Sequence, residues 1–438
     1  MRLTLYIVVI FALFTCFSCH NNPTGPSQPE LAISADYVGV TDAALRLHII
    51  YMLSTDKFQL REDTALIASG RIPLTDTVIY VDNLLPYRSY YFYLAKLDSA
   101  GAVEGGTTLT FTTMDTTSNN FTWHFDTLAG QGGSSVFSDV VILDDTTAYA
   151  VGDLFFADTV VGQQTPNERN FAIWNGKQWT LQLVRYLYPN GIASGGPLYS
   201  IFAFNRNDIW VGGGEAFHWD GDSWIQTGIT TANFGGRLYR FWGNSSSDLY
   251  VVGTNGSMAH YDGHQWTKIQ TGTSLDIQDI WGATDPRTGQ QTILAVAAQP
   301  LESYDKMILN INGNTVTPVS DSGINWPLSS VWFLPNRHYY VVGSGIYEKH
   351  SLNDATWKNG PLDITQYYTY SIRGVDLNDV ATVGGYGEVL HFNGAKWNSF
   401  HDQTGIDGNY NAVALKGDIL IAVGVLNPPA IVAVGQHR

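Results

Sequence analysis

The sequence predicts an all-β chain, an Ig-like sandwich followed by a seven-bladed β-propeller whose last blade is completed by a strand from the start of the propeller region. Three observations carry this. Segments shaped like "DLYVVGTNGSMAHYDGHQW" (248–266) recur with a period near forty, the spacing of units built from several short strands. The chain holds 44 Gly among 438 residues and only 14% charged residues, a turn-rich composition. Its 13 Trp and 24 Tyr supply enough ring surface for large cores.

The first nineteen residues, "MRLTLYIVVIFALFTCFSC", carry one cation, Arg2, before an apolar run from Leu3 to Phe14. That run has the length of a signal-peptide core and is short for a membrane span; a permanent anchor helix is the alternative. The segment ends at Cys19 after the small residue Ser18, which resembles the bacterial lipoprotein processing site. The resemblance implies lipidation of Cys19 and residence in the bacterial cell envelope, lipid-anchored at the outer membrane and either periplasmic or surface-exposed. His20 follows the cysteine rather than an Asp, so inner-membrane retention is not signalled. Residues 20–29 then form a polar, Pro-rich tether. Beyond Cys16 and Cys19 the chain has no cysteine, hence no disulfide, zinc-thiolate site or thiol nucleophile there.

Residues 30–114 read as short alternating strands, among them "ALRLHIIYML", "SYYFYLAKL" and "TLTFTTM", about seven in all, which suits a sandwich. "LLPYRSYYFYLAKLDSAG" followed by "LTFTT" resembles the fibronectin type III pattern, which implies that Tyr90 is a corner tyrosine with its hydroxyl tied to the main chain. The early-strand Trp of that family is absent, with Leu47 or Ile49 in its place. Such a module serves as a spacer or as a protein-contact surface.

The propeller is expected over 120–438. Aligned on Val-Gly, the units place Gly152, Gly213, Gly253, Ala297, Gly343, Gly384 and Gly424 in register, with steps of 61, 40, 44, 46, 41 and 40 residues. Asn-Gly or Asp-Gly recurs at 175–176, 220–221, 262–263, 312–313 and 393–394, which predicts two-residue hairpin turns between third and fourth strands. The Trp beyond each turn is expected to pack as scaffold. The last unit lacks its outer strand, whereas "NNFTW" (119–123) mirrors "NGAKW", so residues 121–128 are expected to supply it. These units resemble the Trp-containing "NDIWVVG…HYDG..W" propeller repeats of bacterial secreted proteins and lipoproteins, and more loosely two-component-regulator and photosystem-assembly-factor propellers. That resemblance implies architecture, not activity.

The net charge of −16 excludes a nucleic-acid partner. No G-x-S-x-G, H-E-x-x-H or P-loop is present, and Asp144-Asp145 reads as a turn. His218, His260 and His391 recur at one repeat position, which marks a structural slot rather than a metal site. No catalytic residue, cofactor or metal is therefore expected. Function is expected in the loops between repeats, where Arg185, Tyr186, Tyr188, Phe234, Arg237, Trp326, Tyr367 and Tyr368 mix rings with polar groups suited to a protein or carbohydrate. The expectation is a non-enzymatic envelope lipoprotein whose propeller face binds such a partner. The alternatives are an assembly scaffold for an outer-membrane or secretion complex, or a polysaccharide hydrolase or lyase.

Overall fold

The structure, a computed structural model, describes residues 30–50, 56–73, 75–130, 133–156, 167–187, 193–194, 196–299, 303–360 and 364–437. The signal segment with Cys19, the tether, residues 157–166 of the first-unit insertion, and Tyr188 lie outside the described residues. Contacts divide the chain into two units. The smaller holds the described residues of 1–34, 46–79 and 91–109, and the larger holds 35–45, 80–90 and 110–438.

Among the described residues, seven strands precede residue 114. Glu30–Val38, Asp42–Ile50 and Thr77–Asp82 form one sheet in that order. The other has the order Ala65–Arg71, Lys57–Glu62, Ser89–Leu97, Val103–Thr112. Alternation decides which side chains turn inward: in Ser89–Leu97, Tyr90, Phe92 and Leu94 are buried while Ser89 and Tyr91 are exposed. Leu47 is fully buried. The Tyr90 hydroxyl accepts the Leu85 N–H at 2.6 Å, a side-chain tie to the main chain at the entry to its strand.

Within the larger unit, seven four-stranded antiparallel sheets follow among the described residues. Their first strands are Val136–Asp144, Ser200–Asn205, Leu238–Ser245, Ile277–Thr284, Leu328–Leu334, Thr369–Asp376 and Asn409–Lys416. Each first strand touches the next, and Asn409–Lys416 touches Val136–Asp144, so the series closes on itself. The seventh sheet takes its fourth strand from the other end of the region, where Phe121–Leu128 pairs along its full length with Ala430–His437. The fold is all-β and of the propeller type.

The repeated Val-Gly has a steric origin. A side chain at Gly253 would run into the carbonyl of Arg237, and one at Gly343 into that of Pro327, each just before the first strand of the same sheet. The repeated Trp fills the space against the preceding sheet. Trp224 meets Phe171 at 5.5 Å, Trp266 meets Trp210 at 6.0 Å and Trp397 meets Tyr340 at 6.0 Å, all edge-on.

The turns before these Trp residues differ from the two-residue form the Asn-Gly and Asp-Gly pairs suggest. Trp219 pairs with Trp224 and Tyr261 with Trp266, so four residues intervene. Asp220 and Asp262 each accept two N–H groups from two and three residues on, and only the Gly has positive φ. Side-chain capping by the acid stabilises a longer loop than the pair alone specifies.

The first strands are stitched to one another by side chains. Asp139 accepts the N–H of Ile201 at 3.0 Å, Ser200 that of Phe241 at 3.0 Å, Asp279 that of Val331 at 3.1 Å, and Ser330 that of Ile372 at 3.1 Å. In every case the acceptor lies in one sheet and the donor in the next. Two cations complete this layer. Arg373 grips Asp279 with two bonds of 2.7 and 2.9 Å, and Arg240 lies 3.5 Å from Asp139 and 3.9 Å from Asp279. They border a cavity of about 140 Å³ lined by first-strand residues.

Each recurring histidine is paired with an acid of its own sheet, and His391 also bonds Asn119 from outside it. His218 lies 2.9 Å from Asp208, His260 2.7 Å from Asp248, and His391 2.9 Å from Asp379.

Candidate functional site

Two kinds of loop converge on one cavity of about 310 Å³ in the larger unit. From connections that enter first strands come Asn325 and Trp326, ahead of Leu328–Leu334, and Thr365 to Tyr368, ahead of Thr369–Asp376. Between second and third strands comes the tight turn Ser344-Gly345, which leads to Ile346 and Tyr347. Main-chain bonds fix the two kinds against each other. Ser344 N–H reaches the Pro327 carbonyl at 3.3 Å, and Gly385 N–H reaches that of Tyr368 at 2.9 Å.

Three expected residues, Trp326, Tyr367 and Tyr368, therefore line one cavity. Trp326 is 47% exposed and meets the 70% exposed Tyr304 edge-on at 5.5 Å. Tyr367 sits between Tyr386 and His401, each 5.1 Å away between ring centroids. Burial pushes the Tyr368 hydroxyl up to about 12, so it stays protonated at neutral pH. Tyr347 is buried behind the turn, its hydroxyl donating to the Ser344 carbonyl at 3.2 Å. Thr365 donates to the buried Glu388, whose carboxyl is raised by burial against the opposing effects of that bond and of His401.

The described lining carries no charged side chain. It offers flat rings beside the amides of Asn325, Asn359 and Gln366 and the hydroxyls of Ser344 and Thr365. Rings bury area while amides set orientation, which suits an uncharged, hydrogen-bonding ligand.

The other expected residues are placed elsewhere. Arg185 is exposed and follows the Trp179–Gln182 strand, and Tyr186 lies in a two-residue strand paired to Ala193–Ser194, its side chain outside the described residues. Arg237 is exposed, its guanidinium 5.8 Å from the centre of the Tyr199 ring. Phe234 departs from the expectation of a surface ring: it is 1% exposed. It ends a one-turn helix, Thr231–Phe234, whose cap is closed by Thr230 and Asn233, and packs with Trp210, Leu238 and Phe241. Of the residues whose side chains are described, Arg185, Arg237 and Phe234 do not line the cavity.

Sequence reading passed over Tyr304, Tyr386 and Tyr347. Tyr386 had no sequence mark except its place in "GGYGE". In the structure it is 59% exposed with φ of 55°, a left-handed conformation that is a genuine outlier for a bulky side chain and clusters at functional sites.

No protein-family model matches the chain, and no curated protein matches it in sequence. Among solved structures it is similar to YCF48 bound to D1 peptide, with 14% identity and a TM-score of 0.53 over 74% of this chain and 97% of that one. It is also similar to the WD40 β-propeller domain of Doa1, with 13% identity and a TM-score of 0.50 over 72% of this chain and 97% of that one. At these identities the likeness is one of fold, the β-propeller.

Proposed function

We propose that the protein is a non-enzymatic, lipid-anchored binding protein of the bacterial envelope. Its seven sheets are the blades of one propeller, and the Trp326–Tyr367–Tyr368 cavity takes an extended segment of a protein partner. The cavity carries the proposal: rings, amides and hydroxyls without charge suit a main chain, whose N–H and C=O groups need partners while its side chains need area. YCF48, seen with a peptide on a fold of this type, supports the choice of a peptide. The preceding domain is read as a fibronectin type III-like spacer, supported by its sheet orders and the Tyr90 tie.

A glycan is the second reading, favoured by the solvent exposure of the Trp326 and Tyr304 rings, since sugars bind on exposed aromatic surface. A scaffold for an outer-membrane or secretion complex fits a peptide-binding cavity equally well. A hydrolase or lyase ranks below both, because the described lining lacks the paired carboxylates of glycoside hydrolysis.

Screening the full-length protein in detergent against a peptide array and a glycan array side by side tests the choice. Retention of peptides is the expected result. Retention of glycans alone moves the assignment to the second reading, and turnover of a polysaccharide overturns both. Anchoring is tested separately: Cys19→Ser is expected to abolish incorporation of labelled fatty acid and to release the protein from membranes. Labelling that persists would place the modification on another residue.

A further inference from the structure

In three sheets an acid opens the second strand and a histidine faces it from the third: Asp208 with His218, Asp248 with His260, Asp379 with His391. In the sheet that begins at Leu328 the two are exchanged. His338 opens the second strand, and Glu348 stands opposite Tyr340 as His218 stands opposite Trp210 and His260 opposite Tyr250. The pair itself is kept, at 3.0 Å. What changes is which further groups gather around it, all within the larger unit.

The His350 ring lies 5.1 Å from that of His338, edge-on, and its Nδ1 is 3.6 Å from a carboxylate oxygen of Asp42. One donor atom each from Asp42, His338 and His350 falls within 4.8 Å of the other two, and among the described residues this is where three such donors meet. We infer that Asp42, His338 and His350 form a binding site for a divalent first-row transition metal ion.

The donor set argues for such an ion. Two imidazoles and one carboxylate are the ligands of zinc and its neighbours, leaving one position for water. Magnesium and calcium prefer oxygen throughout. Partners behind the ligands are also in place. Glu348 engages His338, which would fix its tautomer, and the Tyr37 hydroxyl donates to Asp42 at 2.6 Å. The Tyr37 hydroxyl, which also lies 3.0 Å from His350 Nδ1, ties that ring to Asp42. A cavity of about 300 Å³ lined by His338, Glu348, His350 and Asp82 provides access.

The test uses the full-length protein with Cys16 and Cys19 both replaced by Ser, so that no thiolate competes. After stripping with chelator, the protein is titrated with Co²⁺. Visible absorption that saturates at one equivalent and is displaced by Zn²⁺ is expected. His350→Ala should abolish it, and Glu348→Gln should weaken binding by about tenfold or more. Zn²⁺ should also raise the melting temperature of the parent and leave that of Asp42→Asn, which keeps its shape and its Tyr37 contact, unchanged. No saturable absorption, or binding that persists unaltered in folded His350→Ala and Asp42→Asn, would show that these groups form a hydrogen-bonded cluster and nothing more.

Discussion

Asp279→Ala is expected to destabilise the fold by about 3–5 kcal/mol, the cost of removing one partner from a buried ion pair. Asp279 is 1% exposed and accepts from four donors: two N–H groups of Arg373, the Ser330 hydroxyl and the Val331 N–H. Its loss strands a guanidinium and opens one stitch between neighbouring first strands. The midpoint of urea unfolding, followed by Trp fluorescence, reads the effect. Asp279→Ala with Arg373→Leu should recover part of the loss, because the stranded charge is then gone. A shift of less than about 1 kcal/mol for the single variant, well below the cost of an orphaned buried charge, would mean that the layer does not hold the sheets together. The pH dependence follows with a definite sign. Burial alone would raise the Asp279 carboxyl, but Arg373, Arg240 and the Ser330 hydroxyl outweigh it and hold it below the ordinary carboxylate range. Its contribution is therefore whole above the unfolded value near 3.9 and disappears as pH falls through the lower folded value. Below about pH 4 the gap between parent and Asp279→Ala should narrow.

Trp326→Ala and Tyr367→Ala, tested with a peptide retained on the array, are each expected to weaken binding by about thirtyfold or more. That corresponds to the 2 kcal/mol or above typical of a ring anchoring the centre of an interface. Trp326 is 47% exposed, so its removal should leave the melting temperature within about 2 °C of the parent, as surface changes of this kind do. Arg185→Ala and Arg237→Ala serve as comparisons. Neither lines the cavity, and both should bind within about threefold of the parent, an allowance below the 1 kcal/mol that sets anchoring residues apart. Equal losses from the two arginines would spread the site across the loops; no loss from the two rings would remove the cavity from it.

How much of this was legible in the sequence depends on where each signal lies. The repeat shows because its steric cause lies within one unit: the Val-Gly approach to the start of the same sheet leaves Gly at regular intervals. The strand over 121–128 shows because Trp123 copies the Trp that follows each third-strand turn. The stitches do not show, because Asp139, Ser200, Asp279 and Ser330 each bond an amide in another repeat, and Asp and Ser share the job. The two-residue turn holds after Asn312, which pairs with Thr315, but turn length was misjudged at Asp220 and Asp262, whose side-chain oxygens cap a longer loop than the dipeptide suggests. Of the candidate site, Trp326, Tyr367 and Tyr368 were found by their loops. Phe234 looked identical to them in the sequence. A ring in a connection can face the ligand or fill the loop, and the cap of its one-turn helix decides which. Tyr304 and Tyr386 were missed because they come from second-to-third-strand connections that carry no repeat mark, and the strain at Tyr386 is a property of the backbone alone.

The most direct measurement places a photo-crosslinking amino acid at Tyr304 in the full-length protein, in its native envelope, with Ile225 on a fourth strand as the comparison. Both positions are exposed, at 70% and 44%. If the aromatic cavity holds a protein partner, a discrete adduct forms from position 304, is lost when Trp326→Ala is added, and is not seen from 225. Equal adducts from both positions, or an adduct from 304 that survives Trp326→Ala, would contradict a binding site at this cavity.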